Sequence, residues 1–216
     1  MSGNGTAVDD RRLYLCTPDR PDLHDFIGAS IAGGVDIVQL RDKDLEAGPL
    51  VRRATLAAEL CHTMGVPFIV NDRPDIALAV GADGVHLGQD DVSPEVARRI
   101  LGPGAIIGLS THGGADLQRS RDEPVDYISA GPVEPTPTKP GRPGTGLSYI
   151  TEVSVLDVLP FFVTGGVRPE RIGQLVAAGA SRFVVVRYLT ESTFVEASAR
   201  RLRNAIDEAL TERASG

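Results

Sequence analysis

Three short segments carry side chains suited to holding a phosphorylated ligand. In Gln39-Leu40-Arg41-Asp42-Lys43 an amide and two cations recur at every second residue, so an extended chain turns them to one face. Turned inward they would draw an anion; turned outward they are a charged strand end in solvent. Asn71-Asp72 and, further on, Asp90-Asp91 place carboxylates just after two other apolar runs. Carboxylates converging from neighbouring strand ends suit a hard cation such as Mg²⁺, which takes oxygen ligands and keeps several waters. Each Asp by itself reads equally well as a turn or cap residue. Ser110, Thr111 and His112 could hydrogen-bond a ligand or cap a helix opening at 113–115. His86 falls inside an apolar run and reads as a hydrogen-bonded core histidine, while His24 and His62 sit in helical stretches with no chemical company.

The stretch 131–146, GPVEPTPTKPGRPGTG, holds five of the chain's 15 prolines and four of its 24 glycines. So long a segment without regular structure inside a compact domain is usually functional or disordered. Thr136, Thr138 and Lys139 supply hydroxyls and a cation there, which suits a lid over phosphates. Thr164-Gly165-Gly166-Val167 brings two glycines whose backbone N–H groups can approach an oxyanion closely. The residues therefore suggest two anion sites. One is metal-assisted, around Asp72, Asp91, Lys43 and Lys139; the other is metal-free, around Gly165, Gly166 and the turn that opens VRYLTES at Val186.

Those residues need a scaffold that gathers them. Eight short, β-branched apolar runs recur at 13–16, 36–40, 67–70, 84–87, 106–109, 127–130, 161–163 and 183–186. Most are continuous rather than alternating, as strands buried on both faces are. Between them lie helical spacings: Leu50, Ala54, Ala57, Ala58 and Cys61; then Ile172, Leu175, Val176 and Gly179; then Val195, Ala199, Leu202, Ile206 and Leu210. Ser93-Pro94-Glu95 has the form of a helix start, a capping hydroxyl followed by Pro in the first turn. AGGVDIVQL, VGADGVHL, EPVDYISA and AGASRFVV repeat one grammar of helix end, turn and strand in both halves of the chain. Eight βα units in about 200–250 residues predict a single (β/α)₈ TIM barrel, with function at the C-terminal ends of the strands. The rival, an open doubly wound sheet, lacks its G-x-G-x-x-G after the first run. The catalytic domain is expected over 11–210, with flexible tails at 1–10 and 211–216.

Composition narrows the function classes. The 216 residues carry 29 acidic against 22 basic side chains, a net charge of −7, with 5% aromatics and no Trp. An acidic chain with few stacking rings is not built for nucleic acid. No apolar run approaches the roughly 20 residues that cross a bilayer, and the first residues have no basic flank or apolar segment. Two cysteines are too few for a disulfide framework. A cytoplasmic enzyme of small molecules is the expectation, its oligomeric state left open.

Taken together, LYLCT, QLRDK, NDRPDIALAVGADGVHLGQDD, PTPTKPG, TGGV and VVVRYLT resemble the thiamine phosphate synthase family in order and approximate spacing, over nearly the whole chain. The resemblance implies a transferase that joins an aminomethylpyrimidine diphosphate to hydroxyethylthiazole phosphate, releasing pyrophosphate by a dissociative path. It implies that Gln39, Arg41, Lys43, Asn71, Ser110 and Lys139 contact the pyrimidine diphosphate and that Asp72 and Asp91 hold Mg²⁺. Thr136, Thr138, Gly166 and the backbone at Val186 and Arg187 would receive the thiazole phosphate. Family members often carry a small residue such as Ser where Arg187 stands. Two other classes share the scaffold. A thiazole tautomerase would have no use for the paired aspartates and would want a His near Ser110, and a non-catalytic phosphate-binding barrel would not need Asp72, Asp91 and Lys139 together.

Overall fold

All eight apolar runs form strands, and every residue of every strand is buried. The computed structural model describes residues 8–136, 143–157 and 159–216. The strands are β1 (Leu13–Thr17), β2 (Ile37–Leu40), β3 (Phe68–Asn71), β4 (Gly84–Leu87), β5 (Ile106–Thr111), β6 (Tyr127–Ala130), β7 (Phe161–Val163) and β8 (Phe183–Val185). All neighbours pair in parallel and β8 returns to β1, closing the barrel. Closure excludes the open sheet.

Helices α1 (Leu23–Ala32), α2 (Ala47–Thr63), α3 (Pro74–Val80), α4 (Pro94–Leu101), α5 (Gly114–Ser120), α6 (Gly146–Leu156), α7 (Pro169–Ala177), α8 (Arg187–Thr190) and α9 (Val195–Ser215) alternate with the strands. Their apolar faces pack on the outside of the barrel: Ala54, Ala57, Ala58 and Cys61 of α2, and Ala199, Leu202 and Ile206 of α9, belong to that layer. Ser93 caps α4 as its spacing predicts, its hydroxyl accepting from the Val96 amide at 3.3 Å. A second, smaller core fills the barrel interior with Val8, Tyr14, Ile37, Ile69, Ile106, Tyr127, Phe162 and Val184.

The repeated grammar has a structural cause. Asp36, Asp83 and Asp126 stand one residue before β2, β4 and β6, and each carboxylate accepts a backbone N–H from the foot of the preceding strand. The donors are Leu13 at 2.9 Å, Phe68 at 2.8 Å and Ile107 at 2.7 Å. Each Asp amide in turn donates to the carbonyl of that same residue. Each carboxylate also meets a helix side chain, namely Arg203 of α9, His62 of α2 and Arg98 of α4. The fourth copy has Arg182 before β8, and its guanidinium donates to the Asp9 carbonyl.

Residues 211–215 continue α9 as helix, and Val8 is wholly buried under the barrel.

Candidate active site

Parallel strands point alternate residues into the barrel, and the pairing register aligns those residues across neighbours. Gln39 is level with Cys16 of β1 and Ile69 of β3. Asn71, His86, Gly108 and Tyr127 form the next aligned row, and Ser110 aligns with Ser129. Below, the inward residues are apolar; towards the C-terminal ends they become polar. Gln39, Asn71, His86, Ser110 and Ser129 are all buried yet line one open cavity of about 650 Å³. Gly108 is what lets this row close up. A Cβ there would fall on the Tyr127 ring and hydroxyl and on His86 Nδ1.

The rim of the cavity carries the charge. Arg41 and Lys43 border it, as expected from their spacing, but β2 ends at Leu40, so they do so from the loop rather than from the strand. That loop is shaped by Asp42, whose carboxylate accepts the amides of Asp44 and Leu45 at 3.0 and 2.9 Å. Lys43 Nζ lies 2.9 Å from Asp72 Oδ2. Asp72 follows β3 with φ of 61°, a left-handed conformation rare outside Gly, Asn and Asp, and its amide donates to the His86 carbonyl. Asp91 is folded back so that its carboxylate accepts the Gly88 amide at 2.7 Å.

Asp72 and Asp91 meet directly through their carboxyl groups. Burial raises the Asp91 carboxyl, and its hydrogen bond with Asp72 raises it further. Burial also opposes ionisation of Asp72, but Asp91, Lys43 and Arg41 outweigh it and hold that carboxyl below its ordinary value. Two carboxyl groups brought together in this way share one charge comfortably and two only with a cation between them. Their all-oxygen donor set fits Mg²⁺, which completes its shell with water and substrate phosphate. Among the described residues no three His, Cys, Asp or Glu side chains cluster for a metal, so protein alone would supply only part of the shell.

A second cavity of about 230 Å³ opens beside the first, and Thr164, Val184 and Val186 border both. Gly165 and Gly166 turn its edge with φ of 89° and 78°, and a Cβ on Gly166 would strike the Glu134 carboxylate. Thr136 and Arg187 border it too. Val186 is the N-cap of α8, and the first amides of a helix have no partner within it. Arg187 is exposed and forms no ion pair among the described residues.

The Pro/Gly-rich segment is tied down at both ends. Val133 donates to the Thr164 carbonyl, Thr145 to Pro132 and Gly146 to Val133, while Glu134 pairs with Arg168 and Arg171. Thr138 and Lys139, and the middle of the expected lid, lie outside the described residues. Of the other site residues expected from the sequence, Gln39, Arg41, Lys43, Asn71, Asp72, Asp91 and Ser110 gather at the larger cavity; Thr136, Gly166 and Arg187 gather at the smaller. Val186 borders both. His112 also reaches the larger cavity, its Nδ1 on the Gly131 carbonyl. His86 is hydrogen-bonded within the barrel, as expected, but it also faces the cavity and sits 3.0 Å from Ser110 Oγ. Tyr14 and Cys16, which sequence reading passed over, line the cavity as well. Only the pairing register, which sets Cys16 level with Gln39, brings them to the site.

A closed (β/α)₈ barrel with a carboxylate–lysine cluster and a Gly-Gly turn at its C-terminal mouth belongs to the phosphate-handling barrel enzymes. Within that class, the sequence model described as thiamine monophosphate synthase matches residues 13–189. A thiamine-phosphate synthase of Mycobacterium sp. (strain KMS) is 47% identical over 215 residues, covering 94% of this chain and 95% of its own. The one from Thermobifida fusca is 46% identical over 205 residues, covering 92% and 94%. The solved thiamine phosphate pyrophosphorylase of Pyrococcus furiosus superposes with a TM-score of 0.84 at 27% identity, over 92% of this chain and 96% of that one. The chain belongs to the thiamine monophosphate synthase family.

Proposed function

We propose that this chain is a thiamine-phosphate synthase, a transferase of thiamine biosynthesis that joins 4-amino-2-methyl-5-(diphosphooxymethyl)pyrimidine to hydroxyethylthiazole phosphate. The observation that carries the reading is the pair of adjoining cavities with the shared border at Thr164, Val184 and Val186. A condensation needs two ligands whose reacting ends meet while their charged ends stay apart. The larger cavity offers buried amides and hydroxyls below and cations at its rim, the pattern for a heteroaromatic ring carrying a diphosphate. The smaller offers backbone amides and Arg187 for one phosphate.

In this reading Gln39, Asn71 and Ser110 orient the pyrimidine, and Arg41 and Lys43 take the diphosphate oxygens. Lys139 joins them from outside the described residues, as Thr138 joins Thr136 at the thiazole phosphate. Asp72 and Asp91 would hold Mg²⁺, which supplies charge neutralisation on the departing pyrophosphate. The pyrimidine amino group stabilises the carbocation left behind, and the thiazole nitrogen attacks it. No protein nucleophile is needed; positioning and exclusion of water do that work. Soluble phosphorylated substrates go with a cytoplasmic location. The paired aspartates favour the synthase over a tautomerase.

The direct experiment mixes the protein with both substrates and Mg²⁺ and follows thiamine phosphate and pyrophosphate by chromatography. Stoichiometric formation of both is expected. Turnover of neither substrate by folded protein overturns the reading.

A further inference from the structure

The floor of the larger cavity is a continuous hydrogen-bonded chain across the barrel. Gln39 Nε2 donates to the Tyr14 hydroxyl at 2.7 Å, and the Tyr14 and Tyr127 hydroxyls are 3.0 Å apart. Tyr127 Oη lies 3.0 Å from His86 Nδ1, and His86 Nε2 lies 3.0 Å from Ser110 Oγ. All five side chains are buried. Gln39 and Ser110 open on the cavity, whereas Tyr127 lies wholly beneath it.

We propose that this chain has one direction, that it fixes Ser110 as a hydrogen-bond donor to the substrate ring, and that Tyr14, Tyr127 and His86 are its positioning residues. The direction is set at Gln39. Its Oε1 accepts the Cys16 thiol at 3.2 Å, which leaves the amide nitrogen to face Tyr14. In this direction Tyr14 donates its hydroxyl to the Tyr127 oxygen, and Tyr127 donates its own to His86 Nδ1. Burial keeps both phenols protonated, so each has one proton to give. A neutral His86 that accepts at Nδ1 carries its proton on Nε2 and donates to Ser110. Ser129 Oγ donates to the same oxygen at 3.4 Å. Both Ser110 lone pairs are then engaged, and its proton is left for the cavity. Such a donor selects a ring nitrogen with a free lone pair. It rejects an amino group at that point, which fixes which edge of an aminopyrimidine lies against β5.

The inference rests on the synthase reading for its ligand but not for its geometry, and the test separates the two. In protein labelled with ¹⁵N-histidine, two-bond ¹H–¹⁵N spectra at neutral pH should show His86 as the Nε2–H tautomer alone. Tyr127→Phe removes the central hydroxyl without altering the cavity lining, and Tyr14→Phe removes the link before it. Each should release His86 into a mixture of tautomers. Each should also raise KM for the pyrimidine diphosphate about tenfold, the loss of one well-made hydrogen bond, with KM for the thiazole phosphate unmoved. Unfolding of one variant leaves the other to decide. An Nδ1–H tautomer in the unaltered protein overturns the proposal, as does an unchanged pyrimidine KM in the folded variants. Absence of any turnover overturns the synthase reading instead, and the tautomer measurement still decides the chain.

Discussion

Replacing Arg187 by Ser tests the proposal that the smaller cavity holds a phosphate. The side chain is exposed, borders the cavity and forms no ion pair among the described residues, although Glu191 borders the same cavity one turn along. Its charge is therefore available to a ligand. A charged hydrogen bond contributes about 1.5–3 kcal/mol, and solvent around an exposed guanidinium puts this one at the low end. A loss of about 1.5 kcal/mol is about a tenfold change in affinity. Initial rates of pyrophosphate release, with thiazole phosphate varied at saturating pyrimidine diphosphate, should show Arg187→Ser raising the thiazole phosphate KM about tenfold. KM for the other substrate should hold. Because screening weakens exposed charges, the gap between the two proteins should narrow in molar salt. An unchanged thiazole phosphate KM in Arg187→Ser would show that backbone amides alone bind the phosphate and would refute the argument.

Three further outcomes are expected. Asp72→Asn and Asp91→Asn should each cut turnover by at least about a hundredfold while circular dichroism shows an intact barrel, since each removes a carboxylate that would hold the Mg²⁺ neutralising the leaving group; near-normal rates in both at limiting Mg²⁺ would defeat the metal assignment. Gly108→Ala forces a methyl group onto Tyr127 and His86, and overpacking of this kind should cost about 3 kcal/mol in urea unfolding; a stability loss below about 0.5 kcal/mol would show that the row is not closely packed. Asp126→Ala strands the Ile107 amide and separates Arg98 from its partner, so a loss of about 2–3 kcal/mol is expected in the same assay, whereas a neutral result would deny the repeated Asp its role at the barrel foot.

The strands were legible because residues buried on both faces must be apolar throughout, and that leaves unbroken runs such as Phe161–Val163 and Phe183–Val185. The rim residues were legible for a related reason: Asp72, Asp91 and Lys43 are charges placed just beyond such runs. Where strands end was less plain, since Arg41 continues the alternation of β2 without pairing as strand. The barrel floor was illegible. Tyr14, His86 and Tyr127 come from three strands, and only the register that sets Asn71, His86, Gly108 and Tyr127 side by side brings two of them together. Pairing register is not written in any one segment. The Asp before β2, β4 and β6 stood in the repeat in plain view, but its bond to the preceding strand foot becomes apparent only in three dimensions.

The edge-to-face aromatic cluster of Tyr14, Tyr127 and Phe162, with ring centroids 5.3–6.0 Å apart, floors the cavity, and Val8 packs in the same core. Among the described residues the cavity is thus closed at its floor, like a blind well. Traffic through a blind well obeys a queue: what enters deepest must enter first, and it cannot depart until whatever lies above has gone. In the proposed reading, a ring seated on the Gln39–Ser110 floor would be committed once a second ligand settles at the shared border. In that reading pyrophosphate, at the rim beside Arg41 and Lys43, would be the product nearest the exit. On the proposed reading, the plug that fills the barrel core would set an order of binding and release without any moving part.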